Sequence, residues 1–82
     1  NVSIGAFCGI GPGVKIGKNV TIGTMCTIMP FVTIGEGTIM SDHVIVSDKA
    51  IIGKKCLIKN NVLIKKGEVI TDKSIVDCKE EK

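Results

Sequence analysis

Aromatic side chains are almost absent from this 82-residue sequence, which has no tryptophan, no tyrosine and only two phenylalanines, Phe7 and Phe31. Aromatic rings usually fill much of a small core, yet 44% of the residues here are hydrophobic. The core must therefore be built from aliphatic side chains. The abundance of Ile, Val and Thr also excludes low-complexity disorder, because disordered chains are poor in β-branched residues.

The sequence also lacks a long apolar run and a strong charge. Its longest uncharged stretch, residues 19–35, is interrupted by proline, glycine and threonine, which excludes a membrane-spanning helix. The formal net charge is only +3, and the lysines are interspersed with Asp and Glu. With almost no aromatic rings to stack on bases, the chain is not expected to bind nucleic acid.

A six-residue repeat runs through the whole chain. Every sixth residue from residue 4 to residue 76 is aliphatic: Ile4, Ile10, Ile16, Ile22, Ile28, Ile34, Met40, Val46, Ile52, Ile58, Ile64, Ile70 and Val76. The residue two places earlier is small or medium-sized and mostly apolar: Val2, Cys8, Val14, Val20, Cys26, Val32, Thr38, Val44, Ala50, Cys56, Val62, Glu68 and Ser74. Glycine often follows the aliphatic residue, as at Gly5, Gly11, Gly17, Gly23, Gly35 and Gly53.

A period of six fits neither a helix nor an ordinary hairpin. It fits a short strand followed by a turn of about two residues, in which glycine supplies unusual backbone angles. Alternation within the strand directs the small residue and the aliphatic residue to the same side. Three such strands close a triangle and form one coil, whose length is three times the six-residue period. The sequence therefore predicts an all-β solenoid of about four coils over residues 1–78, with a charged tail at 79–82.

Residues three periods apart in the sequence are then expected to stack on one another at the usual strand spacing of about 4.8 Å. One corner column reads Lys18, Glu36, Lys54 and Asp72, in which opposite charges alternate and favour this coil length. Pro12 and Pro30 share another corner, where a missing N–H is tolerated. Glu68 breaks the inward series, which is expected where the stack ends and a charge can reach solvent.

Three of the four cysteines, Cys8, Cys26 and Cys56, occupy the small inward position. A bridge between Cys8 and Cys26 is geometrically conceivable, but compact reduced core thiols fit the spacing better. Reduced thiols are typical of intracellular proteins, so a cytoplasmic location is expected. The spacing contains no C-x-x-C motif and predicts no metal site. Cys78 lies beyond the last coil and is expected to be exposed.

His43 is the only histidine and the candidate general base. The repeat places it outward, in a column with Phe7, Met25 and Asn61. It is either a catalytic base that faces a neighbouring subunit or a surface or interface histidine without chemistry.

The outward residue before each inward aliphatic becomes apolar in the later coils: Ile39, Ile45, Ile51, Leu57, Leu63, Val69 and Ile75. Part of this series reflects the strand propensity of β-branched residues. An unbroken apolar series nevertheless predicts self-association or packing against further segments.

The repeat resembles the hexapeptide repeat, in which an aliphatic residue is followed by glycine, two variable residues, a small residue and one more variable residue. This resemblance covers residues 2–76 and implies a single-stranded, left-handed parallel β-helix of triangular cross-section. The largest group with this fold is the acyltransferases, usually trimers, which bind acetyl-CoA or acyl carrier protein between neighbouring prisms. In these enzymes a histidine acts as general base on a sugar hydroxyl or an amine.

Residues 22–58 are locally similar to the UDP-N-acetylglucosamine acyltransferase family. The shared residues include Cys26, Pro30, the segment 34–38 (Ile-Gly-Glu-Gly-Thr), and His43 with Val44. The catalytic Ala-His-Asp-Cys stretch of that family is missing, and His43 matches a non-catalytic position. No catalytic role therefore carries over to it. The γ-class carbonic anhydrases are excluded because they need three zinc-binding histidines.

The sequence therefore predicts an acyltransferase of the hexapeptide-repeat group, or a fragment of one, that acts on a sugar or sugar-nucleotide. It is expected to hold no tightly bound cofactor, to take acetyl-CoA or acyl carrier protein as donor substrate, and to form a homo-oligomer, favouring a trimer. Because the repeat is already under way at Asn1, the chain is expected to be part of a longer protein.

The alternative function is a non-catalytic scaffold or oligomerisation module. Two groups of β-helices provide the model for it: the C-terminal domain of a sugar-nucleotide pyrophosphorylase and the small subunits at the pointed end of dynactin. Residues 52–76 resemble the final coils of the dynactin subunits, with similar residues at the same positions of the six-residue repeat. A scaffold needs no catalytic residues, which agrees with the absence of a recognisable catalytic stretch.

Overall fold

The computed structural model describes residues 2–77 and consists of thirteen β-strands of two residues each. The strands follow the predicted period of six, and the middle two residues of each connection form a turn. They are β1 (Ser3–Ile4), β2 (Gly9–Ile10), β3 (Lys15–Ile16), β4 (Thr21–Ile22), β5 (Thr27–Ile28), β6 (Thr33–Ile34), β7 (Ile39–Met40), β8 (Ile45–Val46), β9 (Ile51–Ile52), β10 (Leu57–Ile58), β11 (Leu63–Ile64), β12 (Val69–Ile70) and β13 (Ile75–Val76).

The strands form three parallel sheets, one on each side of the triangular coil. Sheet A has the order β1-β4-β7-β10-β13, sheet B has β2-β5-β8-β11, and sheet C has β3-β6-β9-β12. Each strand pairs with the strand one coil later, so that Ser3 lies beside Thr21 and Thr21 beside Ile39. The predicted coil length is therefore confirmed, and the chain is a left-handed parallel β-helix of about four coils.

Backbone hydrogen bonds join each coil to the next. At the start of β1, the N–H of Ser3 donates to Val20 O at 2.9 Å, and just after the strand the N–H of Gly5 donates to Ile22 O at 2.8 Å. At the corner the direction reverses, and the N–H of Met25 donates to Ala6 O at 2.9 Å. The same pattern recurs at each level, so the stack satisfies most of its backbone groups without long strands.

The core consists of the two inward series. Seventeen residues are buried, and all of them occupy one of these two positions: Val20, Ile22, Cys26, Ile28, Val32, Ile34, Thr38, Met40, Val44, Val46, Ala50, Ile52, Cys56, Ile58, Val62, Ile64 and Ile70. The first coil is more open, and its inward residues Val2, Ile4 and Ile10 are exposed because no described coil lies below them. The two inward series are thus confirmed wherever a coil has a neighbour on both sides.

The left-handed backbone angles fall elsewhere than the sequence predicts. Positive φ occurs at every sixth residue from Phe7 to Lys73, the second residue of each turn, and nine of these twelve residues are not glycine. None of the nine is β-branched, in agreement with the steric cost of that region for branched side chains. The glycines that follow the inward aliphatic have no positive φ, so the prediction that they supply the unusual angles is wrong.

These glycines are needed because successive coils approach closely at this point. A Cβ atom on Gly35 would lie 2.6 Å from the carbonyl carbon of Gly53 in the next coil. No side chain fits at that distance unless the backbone moves. Gly9, in contrast, has nothing within 4 Å of the position of its Cβ atom.

In three of the described turns, the N–H of the first residue donates to a side chain of the next coil. Asp42 Oδ1 accepts the N–H of Thr24 at 2.9 Å, and Asp72 Oδ1 accepts the N–H of Lys54 at 2.9 Å. Pro12 and Pro30 occupy the equivalent position at the second corner, where proline simply removes this donor. The prediction that a corner tolerates their missing N–H is therefore confirmed.

The predicted charged column is in register. The N–H groups of Gly37, Lys55 and Lys73 donate in turn to the carbonyl oxygens of Lys18, Glu36 and Lys54. The side-chain contact that the structure shows in this column is the hydrogen bond from the Lys54 N–H to Asp72. A carboxylate in this column therefore stabilises the turn below it by accepting a backbone hydrogen bond.

Glu68 follows the turn at residues 66–67 and closes it with a hydrogen bond. It is exposed, and its Oε1 accepts the N–H of Lys65 at 2.9 Å. One coil lower, the equivalent N–H of Ser47 donates to Ile64 O of the next coil. The carboxylate thus takes the place of the carbonyl that a following coil supplies at Ser47. Cys78 and the predicted tail at 79–82 lie outside the described residues, so the boundary of the domain stays a prediction.

Substitution of glycine by alanine should separate these two glycine environments. Gly35→Ala is expected to lower the free energy of unfolding by about 1–3 kcal/mol, because the added methyl group displaces a backbone. Gly9→Ala is the matched control and should raise stability by about 0.5–1 kcal/mol, because alanine loses less backbone entropy. Chemical unfolding followed by circular dichroism measures both. Equal effects of the two variants would contradict the close approach of the coils.

Candidate functional site

The first corner of the triangle, between sheets A and B, carries the candidate base. His43 is the second residue of its turn, with φ 60°, and its side chain is exposed. Met25 and Phe7 occupy the same position in the two coils below, and Asn61 occupies it in the coil above. The predicted outward column is therefore confirmed.

Asp42 does not orient His43. Its Oδ1 accepts the N–H of Thr24, and its own N–H donates to Asn60 Oδ1 at 3.0 Å. These hydrogen bonds tie three successive coils together through the first turn residue. His43 itself donates its backbone N–H to Thr24 O at 3.0 Å. Its imidazole is hydrogen-bonded to no other residue among 2–77, so a catalytic role for His43 stays a prediction.

The inward cysteines share one hydrogen-bonding role. The thiols of Cys8, Cys26 and Cys56 donate to the carbonyl oxygens of Gly23, Ser41 and Thr71 at 3.0–3.1 Å. All three are free thiols, as the sequence predicts. Burial raises the pKa of the Cys26 thiol, while a hydrogen bond with the backbone of Val44 acts in the opposite direction. A neutral buried thiol is a poor nucleophile, so Cys26 serves the core.

Thr38 makes the same contact with a hydroxyl group. It is fully buried, and its Oγ1 donates to Gly53 O at 2.7 Å and accepts the N–H of Cys56 at 3.3 Å. A small side chain with a donor at the inward position thus satisfies a carbonyl group at the corner of the next coil. This role explains why Cys and Thr share the position with Val and Ala.

No metal centre is present in the described part of the chain, where no three His, Cys, Asp or Glu side chains come together. An open cleft of about 560 Å³ lies at the C-terminal end of the prism, between Asn61, Leu63, Lys65, Glu68 and Asp77. Lys65 and Glu68, which are joined by the hydrogen bond between the Lys65 N–H and Glu68 Oε1, both line this cleft. Residues 2–77 contain no helix that could span a membrane.

The outward residues divide into three faces, one over each sheet. Face A carries Ser3, Thr21, Ile39, Leu57 and Ile75; face B carries Gly9, Thr27, Ile45 and Leu63; face C carries Lys15, Thr33, Ile51 and Val69. Six of the seven predicted apolar outward residues are exposed, and Leu57 is half-buried. Each face therefore ends in an apolar strip over its later coils, as the sequence predicts.

Turn residues extend these faces, which the sequence pattern of outward strand residues did not predict. Phe7, Met25 and Met29 are exposed on the two sides of sheet B and continue its apolar strip into the first coils. Phe31 lies against Gly13, where a Cβ atom would be 2.6 Å from the Phe31 ring. The register between coils brings these residues together, so their positions on the faces could have been predicted from the repeat.

Comparisons with known proteins place the chain within a family of domains. Residues 1–79 match the family model of the GMPPB C-terminal domain. A comparison with curated proteins gives no significant match. Ten solved chains match significantly. One is serine acetyltransferase isoform 3 of Entamoeba histolytica in complex with cysteine, with 24% identity and a TM-score of 0.44. The match covers 96% of this chain and 36% of that one, so the chain spans about a third of that structure's length.

Thr38 tests the role of the inward hydrogen bonds. Thr38→Val leaves the carbonyl of Gly53 and the N–H of Cys56 without a partner, and should lower the free energy of unfolding by about 1–3 kcal/mol. Thr38→Cys retains a donor of the kind seen at Cys56 and should lose less stability. Denaturant unfolding measures the difference. A valine variant as stable as the cysteine variant would show that the corner carbonyls need no donor.

Proposed function

Because the chain belongs to the family of GMPPB C-terminal domains, we propose that it is a non-catalytic β-helical module that holds together the subunits of a sugar-nucleotide pyrophosphorylase. The family is named after a pyrophosphorylase of this class, and the match extends over residues 1–79. This is the scaffold alternative that the sequence itself raised. The family match is the observation that carries the proposal.

The surroundings of His43 support a non-catalytic module. A general base of the histidine type usually needs a second group that fixes its tautomer and orientation. The neighbouring carboxylate, Asp42, instead joins successive turns through hydrogen bonds with their backbone and side chains. A scaffold needs neither a base nor an orienting group.

The apolar outward strips support an assembling module. Exposed apolar patches on a soluble domain commonly mark contacts with other proteins. Here the strips are formed by outward strand residues whose neighbours on both sides point into the core. They contribute nothing to the core, and burial against another subunit would remove their apolar surface from water.

Acyl transfer to a sugar or sugar-nucleotide is the second candidate function. The observation that favours it is the exposed position of His43 at a corner, where a second subunit could approach it. On this hypothesis acetyl-CoA or acyl carrier protein would supply the acyl group between two prisms, and His43 would take a proton from the acceptor.

Self-association is the first test of the proposed module. Sedimentation equilibrium of the chain between about 10 µM and about 1 mM should show a reversible increase in mass, because affinities in this range need only about 4–7 kcal/mol of binding free energy. A species that remains monomeric over the whole range would contradict an oligomerisation module.

Titration with acetyl-CoA separates the two functions. A non-catalytic module should release no saturable binding heat at millimolar acetyl-CoA. Acyl transfer instead requires binding, together with an acyl transfer activity that His43→Ala abolishes. Saturable binding combined with loss of activity in that variant would replace the scaffold function by the enzymatic one.

A further inference from the structure

We propose that face B is the surface through which two copies of this chain pair, with the two prisms antiparallel. Face B comprises the outward residues of sheet B, the turn column of Phe7, Met25, His43 and Asn61 that precedes the sheet, and the two residues that follow each of its strands. The inference rests on the proposed oligomerisation function and adds to it the surface, the orientation and the residues in contact.

Face B is the least charged of the three faces. Its charged residues are Asp48, Lys65 and Lys66, and all three lie at the corner of the later coils. Face C carries Lys15 among its outward strand residues, on β3, and the corner that it shares with face A holds the charged column. The centre of a protein interface is depleted of charged residues, since ions there lose their water. This distribution favours face B.

Face B also carries the most exposed of the large hydrophobic side chains. Phe7 is 84% exposed and Met25 49% exposed on one side of the sheet, and Leu63 is 60% exposed on the sheet itself. Phe7 and Met25 both adopt positive φ, which costs a non-glycine residue about 1–2 kcal/mol. Aromatic residues and methionine are enriched at interfaces. Contact with a second subunit gives both exposed side chains a function.

The strand residues of face B are complementary to their own reverse. From the first coil to the fourth they read Gly9, Thr27, Ile45 and Leu63. A two-fold axis that runs along the strand direction between Thr27 and Ile45 places Leu63 of one copy over Gly9 of the other, and Ile45 over Thr27. One of the two large side chains, Leu63, then meets the position without a side chain, and the other, Ile45, meets the smaller Thr27.

Gly9 supports this arrangement independently. It has no positive φ, and a Cβ atom would have nothing within 4 Å inside the chain. Neither the fold of its strand nor the neighbouring coil requires glycine there. A glycine in a strand commonly marks a position that another chain or ligand approaches closely.

The same axis keeps like charges apart. Lys65, Lys66 and Asp48 of one copy lie opposite Gly11, Pro12 and Pro30 of the other, which are uncharged. At the first corner, Met25 lies opposite His43. No charged group of one copy therefore faces a like charge of the other across the interface.

A parallel pair would fit less well. A two-fold axis along the prism would place Leu63 of one copy over Leu63 of the other and Gly9 over Gly9. The two large side chains would then hold the faces apart and leave a gap at the first coil, where a close interface needs matching shapes. The order of side-chain size along face B therefore selects the antiparallel orientation.

The pairing is expected to be weak in the isolated chain. Four coils at a spacing of about 4.8 Å, with six residues per side that each span up to about 3.3 Å, give a footprint of roughly 400 Å² per copy. Stable interfaces bury about 800 Å² per partner. A two-fold pair also differs from the trimer that the acyltransferase resemblance implies, so the mass of the assembly distinguishes the two.

Three matched substitutions locate the interface. Ile39, Ile45 and Ile51 are the same residue at the same outward position of consecutive strands, with exposed fractions of 47%, 40% and 47% on faces A, B and C. Ile45→Lys should weaken association at least about 30-fold, whereas Ile39→Lys and Ile51→Lys should leave it within about threefold. Sedimentation equilibrium measures each, and thermal melting verifies that all three fold.

An exchange of the side chains at the two ends of face B tests the antiparallel orientation of the two prisms. Gly9→Leu should weaken association about 10-fold or more without loss of thermal stability, because Leu63 of the second copy no longer has room. Gly9→Leu combined with Leu63→Ala moves the large side chain to the other end of the face and should restore association to within about threefold of the original.

The outcomes separate the inference from the proposed function. Association abolished by Ile39→Lys or Ile51→Lys but not by Ile45→Lys, no rescue by the double variant, or a trimeric mass would overturn the face B pair and leave the oligomerisation module in place. A monomer at all concentrations would instead remove the proposed function itself.

Discussion

The coil-to-coil hydrogen bonding of the backbone is the constraint on which the whole structure depends. Because the N–H of Ser3 must reach Val20 O and that of Gly5 must reach Ile22 O, every coil has to close after the same length of chain. An insertion of a single residue would turn every later inward side chain outward. The six-residue period is therefore kept without interruption from β1 to β13, and the number of coils, rather than a globular volume, determines the size of the domain.

This constraint accounts for the near absence of aromatic residues. Each level offers the same small inward sites, which are filled by Ile or Val beside Cys, Ala or Thr, and a ring would separate two coils that must remain in hydrogen-bonding distance. Both phenylalanines accordingly lie outside the core, at turn positions with positive φ. Phe31 covers Gly13 in the coil below, whereas Phe7 extends into solvent and has no such function within the fold.

The sequence predicts the core well and the turns poorly, for a physical reason. Inward residues such as Ile28 and Val44 follow the period, because every level imposes the same steric requirement. The role of Gly35 was not predictable, because a glycine can be required either for a positive φ or for the close approach of another backbone. Only the distance to Gly53 distinguishes these two reasons. The position of His43 was predictable from the register. The hydrogen bonds of Asp42 with Thr24 and Asn60 were not predictable, because the repeat does not indicate which side chains bond between coils.

In this fold the core and the outer surface are under separate control. Thr27 and Ile45 can change without touching the core, since the side chains of their strand neighbours point the other way. The order of bulk and charge along an outward column is therefore free to be selected by contacts with other subunits. A column with Gly9 at one end and Leu63 at the other fits its own reverse better than it fits a parallel copy. The contacts that such a prism makes therefore depend on the order of its outward residues from one coil to the next.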